Sequence, residues 1–289
     1  MKLASTLLLS CLLASPLAAA TDVELFAAGK AALEQGDPEK AAGLLEKAVA
    51  AKPNNAEYHY VLGSAYGQWA QSAGMFKQVS LAKKVKAEFE RAVQLDPRFY
   101  NARMGLISFY MVAPGFMGGG EDKALAQAAE MKKIDAFMGH RAYGAIYRIQ
   151  KKMDLARKEA VEAVRERPTD PKAHAFLGSQ YLAEKNYAAS QPEYETALKL
   201  DAAFMPANMR IGQLLALQSK DYARAETLLK KYIAYKPADD EPPVAAAWYW
   251  LGQVYEKTNR KADAKQAYAT AVKLLPQYKD AVEALKRVS

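Results

Sequence analysis

The chain has 289 residues, one cysteine and a formal net charge of +8. A single cysteine excludes an internal disulfide framework as the source of stability. This length ordinarily indicates about two globular domains. However, prolines and glycines punctuate an alanine-rich chain with few β-branched runs, which favours helix over strand. We therefore predict an all-α protein.

The first 20 residues have the pattern of a secretory signal peptide. Lys2 precedes an apolar core from Leu3 to Leu13, and the segment ends in small residues at Ala18–Ala20. The apolar run is too short to span a bilayer, and no later stretch reaches the roughly 18–20 apolar residues that spanning needs. Cleavage after Ala20 would remove one lysine and no acidic residue, which leaves a net charge of +7. The sequence predicts an exported, periplasmic protein.

An alternative is that the exported protein is lipidated on Cys11. Leu8–Cys11 loosely resembles a bacterial lipobox, in which the cysteine becomes the first residue of the mature chain. The leucine just before Ser10 fits that pattern poorly. The lipobox interpretation predicts an anchored lipoprotein, and we expect membrane contact only if the protein is lipidated or peripheral.

Residues 22–55 form the first copy of a 34-residue unit. Small or apolar residues recur in it at helical spacing, with Gly29 at position 8, and Pro53 at position 32 ends the unit. Between the two halves, Asp37 and Pro38 are typical of a helix start. The unit therefore predicts two helices joined by a tight turn.

The second unit, residues 56–99, is ten residues too long, and the excess falls within Gly67–Lys84. We expect its first helix to continue to about Ala73 and to be followed by a turn at Gly74. The second helix should then begin at a cap formed by Ser80.

The third unit, residues 100–136, is expanded by five residues within Met111–Asp122. Its prolines and glycines forbid regular helix, so we predict a loop. Because both expansions lie at the turn inside neighbouring units, they should emerge on one edge. We name this the insert edge, and its proposed members are Met75, Phe76, Phe116 and Met117. It either docks a partner or folds back to cover its own helix ends.

The later units are more regular. In the unit at residues 137–170 we expect Asp154 to cap the second helix. Pro192 should make the second helix of the unit at residues 171–204 start late or bend. An acidic, proline-rich connection follows the unit at residues 205–238, and a single helix over residues 279–288 should cap the unit at residues 245–278.

The regular unit Phe137–Asp170 carries a recognisable set of residues at positions 4, 7, 8, 11, 20, 24, 27 and 32, namely His140, Tyr143, Gly144, Tyr147, Ala156, Ala160, Ala163 and Pro168. This set resembles the tetratricopeptide repeat (TPR). The resemblance covers residues 21–289 and implies one right-handed superhelical solenoid of helix-turn-helix repeats with a C-terminal capping helix. It also implies that the first helices line a concave groove that binds a protein or peptide partner.

In the TPR family, positions 2, 5, 9 and 12 point into that groove. The resemblance therefore implies a partner-binding set of Phe26, Tyr60, Met104, Arg141, Arg148, Met209, Gln213 and Tyr249. Aromatic, methionine and arginine side chains suit a peptide because they combine desolvated area with adaptable packing. The lysine and asparagine pair with which some relatives grip a C-terminal carboxylate is missing, which disfavours a chaperone-tail receptor.

No catalytic or cofactor motif stands out. Gly115–Gly120 is rich in glycine, but the lysine and hydroxyl of a phosphate-binding loop do not follow it. The three histidines, His59, His140 and His174, all occupy position 4, where we expect structural side chains rather than metal ligands. We predict no enzyme activity, no cofactor and no nucleic-acid partner. An enzyme would need an acid and base pair in a closed pocket, which an open groove does not readily provide.

The sequence thus predicts a non-catalytic protein interaction scaffold in the bacterial cell envelope. The alternative is an envelope-anchored lipoprotein subunit whose positive charge contacts anionic lipid or polysaccharide. A mildly basic, solvated surface is the simpler interpretation of that charge, because both signs are interspersed along most helices.

Overall fold

The computed structural model describes residues 20–238 and 241–288. Cys11 and the signal-like segment before Ala20 lie outside these ranges. The described residues form α-helices that follow one another along the chain, and these residues include no β-strand. The helices are α1 (Asp22–Glu34), α2 (Pro38–Ala51), α3 (Ala56–Ser72), α4 (Met75–Leu95), α5 (Tyr100–Val112), α6 (Glu121–Ile134), α7 (Ala136–Ile149), α8 (Met153–Glu166), α9 (Pro171–Ala183), α10 (Tyr187–Leu200), α11 (Met205–Gln218), α12 (Tyr222–Ile233), α13 (Val244–Lys257), α14 (Lys261–Leu274) and α15 (Lys279–Val288).

Local sequence explains many of the helix starts. The Thr21 side chain accepts a hydrogen bond from the Glu24 backbone N–H, and the Glu24 carboxylate accepts one from the Thr21 backbone, which forms a capping box. Asp37 caps α2, and Pro38 occupies its first turn, as the sequence predicts. These contacts satisfy backbone donors that a helix start otherwise leaves without a partner.

Each helix packs against the next one in the chain, so the described residues form a solenoid of seven helix pairs closed by α15. The first helices of neighbouring pairs also touch one another, as α5 touches α7 and α11 touches α13. Second helices of neighbouring pairs approach one another less closely in the described ranges. The first helices therefore lie on the inner side of the curve.

The buried residues separate into two large clusters, one in α1–α7 and the other in α10–α15. Between them lies a small cluster of Phe137, Ala163 and Ala173, against which Phe176 packs. The core is therefore narrowest where α7, α8 and α9 meet.

The first expansion differs in one respect from its prediction. The helix α3 ends at Ser72 and Gly74 follows it as expected, but α4 begins at Met75 rather than at Ser80. The prediction of a start at Ser80 is wrong because the residues between the two positions include no helix breaker, so helix propagates from Gly74 onward. The extra residues lengthen α4 to 21 residues.

The second expansion is a loop that contains one 3-10 turn at Gly115–Met117. The glycines of this loop allow a backbone conformation and a close contact that other residues could not adopt. A Cβ on Gly119 would lie 1.7 Å from the Ala113 carbonyl oxygen, and Gly118 has a φ of +95°. Only glycine fits this close approach, so the loop folds back tightly onto the end of α5.

Two further local predictions are corrected. Asp154 does not cap α8; the helix begins at Met153 after Lys152 and has no side-chain cap, so Asp154 lies within its first turn. The helix α10 does not start late, because it begins at Tyr187 after an Asn186 cap and carries Pro192 inside it.

Candidate functional site

Two hollows open on the inner side of the curve, each between first helices of neighbouring repeats. In both, a second helix supplies part of the floor. Because neighbouring first helices share this side, both hollows face the groove that the resemblance implies.

The first hollow, which we call the basic cavity, has a volume of about 240 Å³ and is bordered by α7, α9 and α11. It carries three cations, Arg141, Lys172 and Arg210. One acidic residue, Glu241, joins the same lining from the connection between α12 and α13. The helix α9 approaches α7 and α11 at fewer places than α5 approaches α7 or α11 approaches α13, and the cavity lies in this wider spacing.

Aromatic rings form the apolar part of the basic cavity, contributed by Phe137, Phe176, Tyr194 and Phe204. Tyr194 is 2% exposed, and burial raises the pKa of its hydroxyl to about 12, an effect that the nearby Arg210 charge opposes. The hydroxyl is therefore neutral at ordinary pH.

Two of these rings pack against the glycine at position 8 of a repeat. In the fifth repeat, a Cβ on Gly178 would lie 2.9 Å from Tyr194 Cε2, so glycine is needed for the tyrosine to reach this depth. In the fourth repeat, Ala160 leaves the corresponding space above Gly144 unfilled. Phe176 of α9 occupies it, with its Cζ 2.8 Å from where a Cβ of Gly144 would lie. The small residue at position 24 thus leaves space in its own repeat, and a ring from the next repeat fills that space beside the cavity.

The cations of the basic cavity are held in different ways. The Arg141 guanidinium lies over the rings of Tyr100 and Phe137, with its carbon 4.8 Å and 6.0 Å from the ring centroids. The Arg210 guanidinium donates a 2.9 Å hydrogen bond to the Gln213 side-chain oxygen, which is neutral.

The second hollow, which we call the apolar cleft, has a volume of about 590 Å³ and lies between α3 and α5 with α4 as its floor. Val85 and Phe89 of α4 face it, and Phe109, Val112 and Met117 border it. Among the residues that the structure describes, none in the lining of the cleft carries a charge. The two expansions are responsible for the cleft, because the lengthened α4 extends its floor and the loop after α5 closes one end.

The four proposed residues of the insert edge have different environments. Met75, Phe76 and Phe116 are 76%, 93% and 79% exposed. Met117 is half-buried and borders the apolar cleft. The Lys123 ammonium of α6 holds the loop by donating a 2.9 Å hydrogen bond to the Gly118 carbonyl, and the 3-10 turn of the loop also contacts α4.

The residues that the resemblance implies for the groove differ in burial and location. Arg141 lines the basic cavity, and Gln213 anchors Arg210 beside it. Met209 is 1% exposed, which places it in the core rather than on the groove surface. Arg148 is exposed two turns beyond Arg141.

The remaining four of these residues pack on neighbouring side chains. Phe26 stacks on Tyr58, with centroids 4.4 Å apart. Tyr60 lies edge-on to Phe99, and Met104 packs against the first core cluster. Tyr249 contacts Trp250, Tyr268 and Tyr278. These contacts hold the aromatic rings in fixed positions along the first helices.

Sequence reasoning missed several residues of the basic cavity. Lys172 occupies position 2 of its repeat, one of the groove positions, and could have been found by extending the family pattern to that position. Arg210 occupies position 6, which that pattern does not include. Phe176 and Glu241 depend on spacing between repeats and on the path of a connection, which no local signal reveals.

The three histidines join the two helices of their own repeats. Each ring Nδ1 lies within hydrogen-bond distance of a glutamate on the second helix of the same repeat: 2.5 Å for His59 and Glu88, and 2.7 Å for both His140 with Glu159 and His174 with Glu193. The glutamates tie the paired helices together.

The described residues contain no group of three or more His, Cys, Asp or Glu side chains arranged to hold a metal ion. Across the same ranges, no helix has the length and apolar character that crossing a membrane requires.

Models of known protein families match the repeats of this chain. Two family models, both described as Tetratricopeptide repeat, match residues 26–76 and 177–241 in one case and residues 245–278 in the other. Together they cover slightly more than half of the chain. The chain belongs to the tetratricopeptide repeat family. Repeats of this family are generally non-catalytic scaffolds, and no curated protein sequence matches the chain.

Solved structures share this TPR fold at low sequence identity. A TPR protein from Parabacteroides merdae is 15% identical with a TM-score of 0.54, and the match covers 92% of this chain and 98% of that one. A chain of the APC/C hetero-tetramer Cut9–Hcn1 is 16% identical with a TM-score of 0.53, covering 92% and 48%. Human IFIT1, solved as a dimer with PPP-AAAA, is 18% identical with a TM-score of 0.54, covering 93% and 64%. This protein therefore spans about half the length of the Cut9–Hcn1 chain and nearly all of the bacterial one.

Proposed function

We propose that this TPR protein is a non-catalytic interaction scaffold of the bacterial cell envelope, which binds a segment of a protein partner along its inner groove at the basic cavity. The observation that carries the proposal is the cavity itself. Three successive first helices border it and combine cations with fixed aromatic rings. Such a surface supplies both the apolar area and the directional polar groups that peptide recognition uses.

The size and openness of the site favour a chain segment over a small substrate. Its volume of about 240 Å³ lies below the roughly 300–1,000 Å³ of typical small-molecule sites. A peptide can place one or two side chains in the cavity and continue along the groove in both directions. The apolar cleft lies on the same side and offers a second contact region for a long segment.

Placement of a photo-crosslinking amino acid tests the groove. We expect the variant with this residue at Ser179, which lines the cavity, to form adducts with one partner protein in the cells of origin. Mass spectrometry should map them to one segment of that partner. The matched position is Lys158, which is exposed on the second helix α8. Equal labelling at both positions, or none at Ser179, would contradict groove binding.

Envelope location rests on the pattern of the first 20 residues and needs its own measurement. Mass spectrometry of the mature protein from fractionated cells should find Thr21 as the first residue if it is exported as a free protein. A diacylated Cys11 at the first position would establish the lipoprotein alternative instead. An unprocessed chain in the cytoplasm would contradict both.

A further inference from the structure

The junction between the fourth and fifth repeats, where α8 meets α9, has one apolar end. There the start of α7, the end of α8 and the start of α9 meet in the small cluster of Phe137, Ala163 and Ala173, against which Phe176 packs. Paired helices of a solenoid run in opposite directions. The end of α7, the start of α8 and the end of α9 therefore meet at the opposite end of the junction.

That opposite end is polar. The Arg157 guanidinium near the start of α8 pairs with the Glu184 carboxylate at the end of α9. Gln180 lies one turn before Glu184 on the same side of α9 and is 0% exposed. Neither atom of its side-chain amide has a hydrogen-bond partner among the described residues, and the same holds for the amide of Gln150 at the end of α7. Because an amide buried without a partner opposes packing, this end does little to hold the repeats together.

A glutamine is exceptional at this place in the repeat. Gln180 occupies position 10, where each of the other six units has an apolar residue: Ala31, Ala65, Phe109, Ile146, Leu214 and Val254. Ile146 belongs to the first large core cluster, and Leu214 and Val254 belong to the second. The apolar series at position 10 is thus interrupted between the two clusters.

The helix α8 adds little apolar contact to the junction. Its buried residues are three alanines, whereas its larger side chains Leu155 and Val161 are 42% and 43% exposed. The second helices of the repeats on either side, α6 and α10, bury Met131 and Tyr194. The stability of a solenoid depends on the interfaces between neighbouring repeats, so a poor interface lets it open locally at that place.

We propose that the junction between α8 and α9 is a hinge, at which the units α1–α8 and α9–α15 pivot about the cluster of Phe137 and separate at the end that carries Gln180. Each unit keeps its own large core cluster while the junction opens. The basic cavity takes walls from both units, since Arg141 belongs to α7 and Ser179 to α9, so movement at the hinge changes the shape of the cavity. The hinge goes beyond the proposed function and does not depend on it.

Distances between spin labels measure the opening. The turns inside the last four repeats offer equivalent exposed positions with positive φ, namely Lys151, Lys185, Ser219 and Asn259. In a Cys11→Ser chain, labelled cysteines at Lys151 and Lys185 span the polar end of the junction, and those at Ser219 and Asn259 lie within the second unit. Double electron–electron resonance should give a distance distribution about twice as broad for the first pair, because that pair straddles the hinge.

One variant should close the hinge. Gln180→Leu restores an apolar residue at position 10, so opening would expose apolar area to water, and the first distribution should narrow to the width of the second. Hydrogen exchange at the end of α9 should slow roughly tenfold in the same variant. The matched control is Gln266→Leu, which makes the same change at an exposed position of α14 and should alter neither measurement.

A second variant should loosen the hinge. Arg157→Gln removes the ion pair with Glu184 and should speed hydrogen exchange at the end of α9 about threefold. Arg165→Gln makes the same change in the same helix, but Arg165 pairs with Glu162 of α8 itself. It should therefore leave exchange in α9 unchanged.

Three results would overturn the hinge. They are equal widths for the two label pairs, exchange at the end of α9 that is no faster than exchange in α11, and an unchanged distribution in a Gln180→Leu chain whose fold circular dichroism confirms. Photo-crosslinking from Ser179 is a separate matter. Absence of adducts there would remove the proposal of groove binding, while a broad distribution for the first label pair that narrows in Gln180→Leu would still establish the hinge.

Discussion

The apolar cleft and the basic cavity are built from different helix pairs of the same kind, yet they present different chemistry to the same groove. In the second and third repeats, expansions lengthen α4 and add a loop, and the described lining of the resulting cleft is uncharged. In the fourth to sixth repeats the helices have ordinary lengths, but α9 stands apart from its neighbours and cations line the gap. The groove surface of the same repeat fold thus differs between regions, either because residues are inserted or because the spacing of the first helices changes.

The largest expected effect concerns the floor of the apolar cleft. Phe89 is 7% exposed, and its ring packs against Gly63 and Gly105 of both flanking first helices. Phe89→Ala should lower the free energy of unfolding by about 3–5 kcal/mol, because it removes a buried ring and leaves a void. Urea denaturation followed by circular dichroism measures this.

The matched control for that variant is Phe76→Ala in the same helix. Phe76 is 93% exposed, so its removal should change stability by less than about 0.5 kcal/mol. Similar losses in both variants would show that the cleft floor is not a packed part of the core.

A smaller effect is expected at the floor of the basic cavity. In Gly178→Ala the new methyl group would meet the Tyr194 ring at 2.9 Å, and that ring is too buried to move freely. The free energy of unfolding should fall by about 1–3 kcal/mol because of this overpacking. Adduct formation from Ser179 should also fall as the ring shifts.

Gly43→Ala is the control with the opposite sign. Gly43 is an exposed residue within α2, and nothing lies within 4 Å of its would-be Cβ. Alanine should therefore stabilise the protein by about 0.5–1 kcal/mol through helix propensity. A stabilising Gly178→Ala would contradict the role given to position 8 in shaping the cavity.

The smallest effect involves the capping helix and depends on pH. Arg287 of α15 donates hydrogen bonds of 3.0 and 2.8 Å to the Glu256 carboxylate, and Tyr268 donates one of 2.8 Å. The Arg287 bond is the largest influence that lowers the pKa of Glu256, and the Tyr268 bond lowers it further. A lowered pKa in the folded state means that this stabilisation is fully present above the unfolded pKa of glutamate, about 4.3, and disappears as the pH falls through the lower folded pKa.

Glu256→Gln should accordingly lose less than about 1 kcal/mol at neutral pH, because Arg287 is half exposed to solvent. The difference from wild type should vanish in acid. Thermal denaturation at a series of pH values measures both. A difference that persists unchanged below pH 3 would show that the carboxylate charge does not hold the cap.

The fold followed from the sequence because its signal is periodic. Small or apolar residues at positions 8, 20 and 27 recur from one unit to the next, so the helix pairs and the capping helix α15 could be predicted. The turn at Gly74 lies in an expansion and was predicted from the glycine itself. The predicted starts of α4 and α8 were wrong because they rested only on a possible capping residue. Ser80 and Asp154 resemble caps, but helix had already begun five residues and one residue before them.

The candidate site was predictable only in part. Arg141 was found because family positions point into the groove. Phe176 and Arg210 could not be found, because their exposure to the basic cavity depends on how far α9 stands from α7 and α11. That distance is set by packing between repeats, such as the ring of Phe176 above Gly144, and not by any pattern within one repeat.

The most direct test of the central claim is photo-crosslinking from Ser179, which lines the basic cavity, followed by mass spectrometry of the adducts. Our account predicts that Ser179 labels one segment of one partner protein and that the exposed Lys158 on the outer helix α8 does not. Equal labelling from both positions, or no adduct from Ser179, would contradict it.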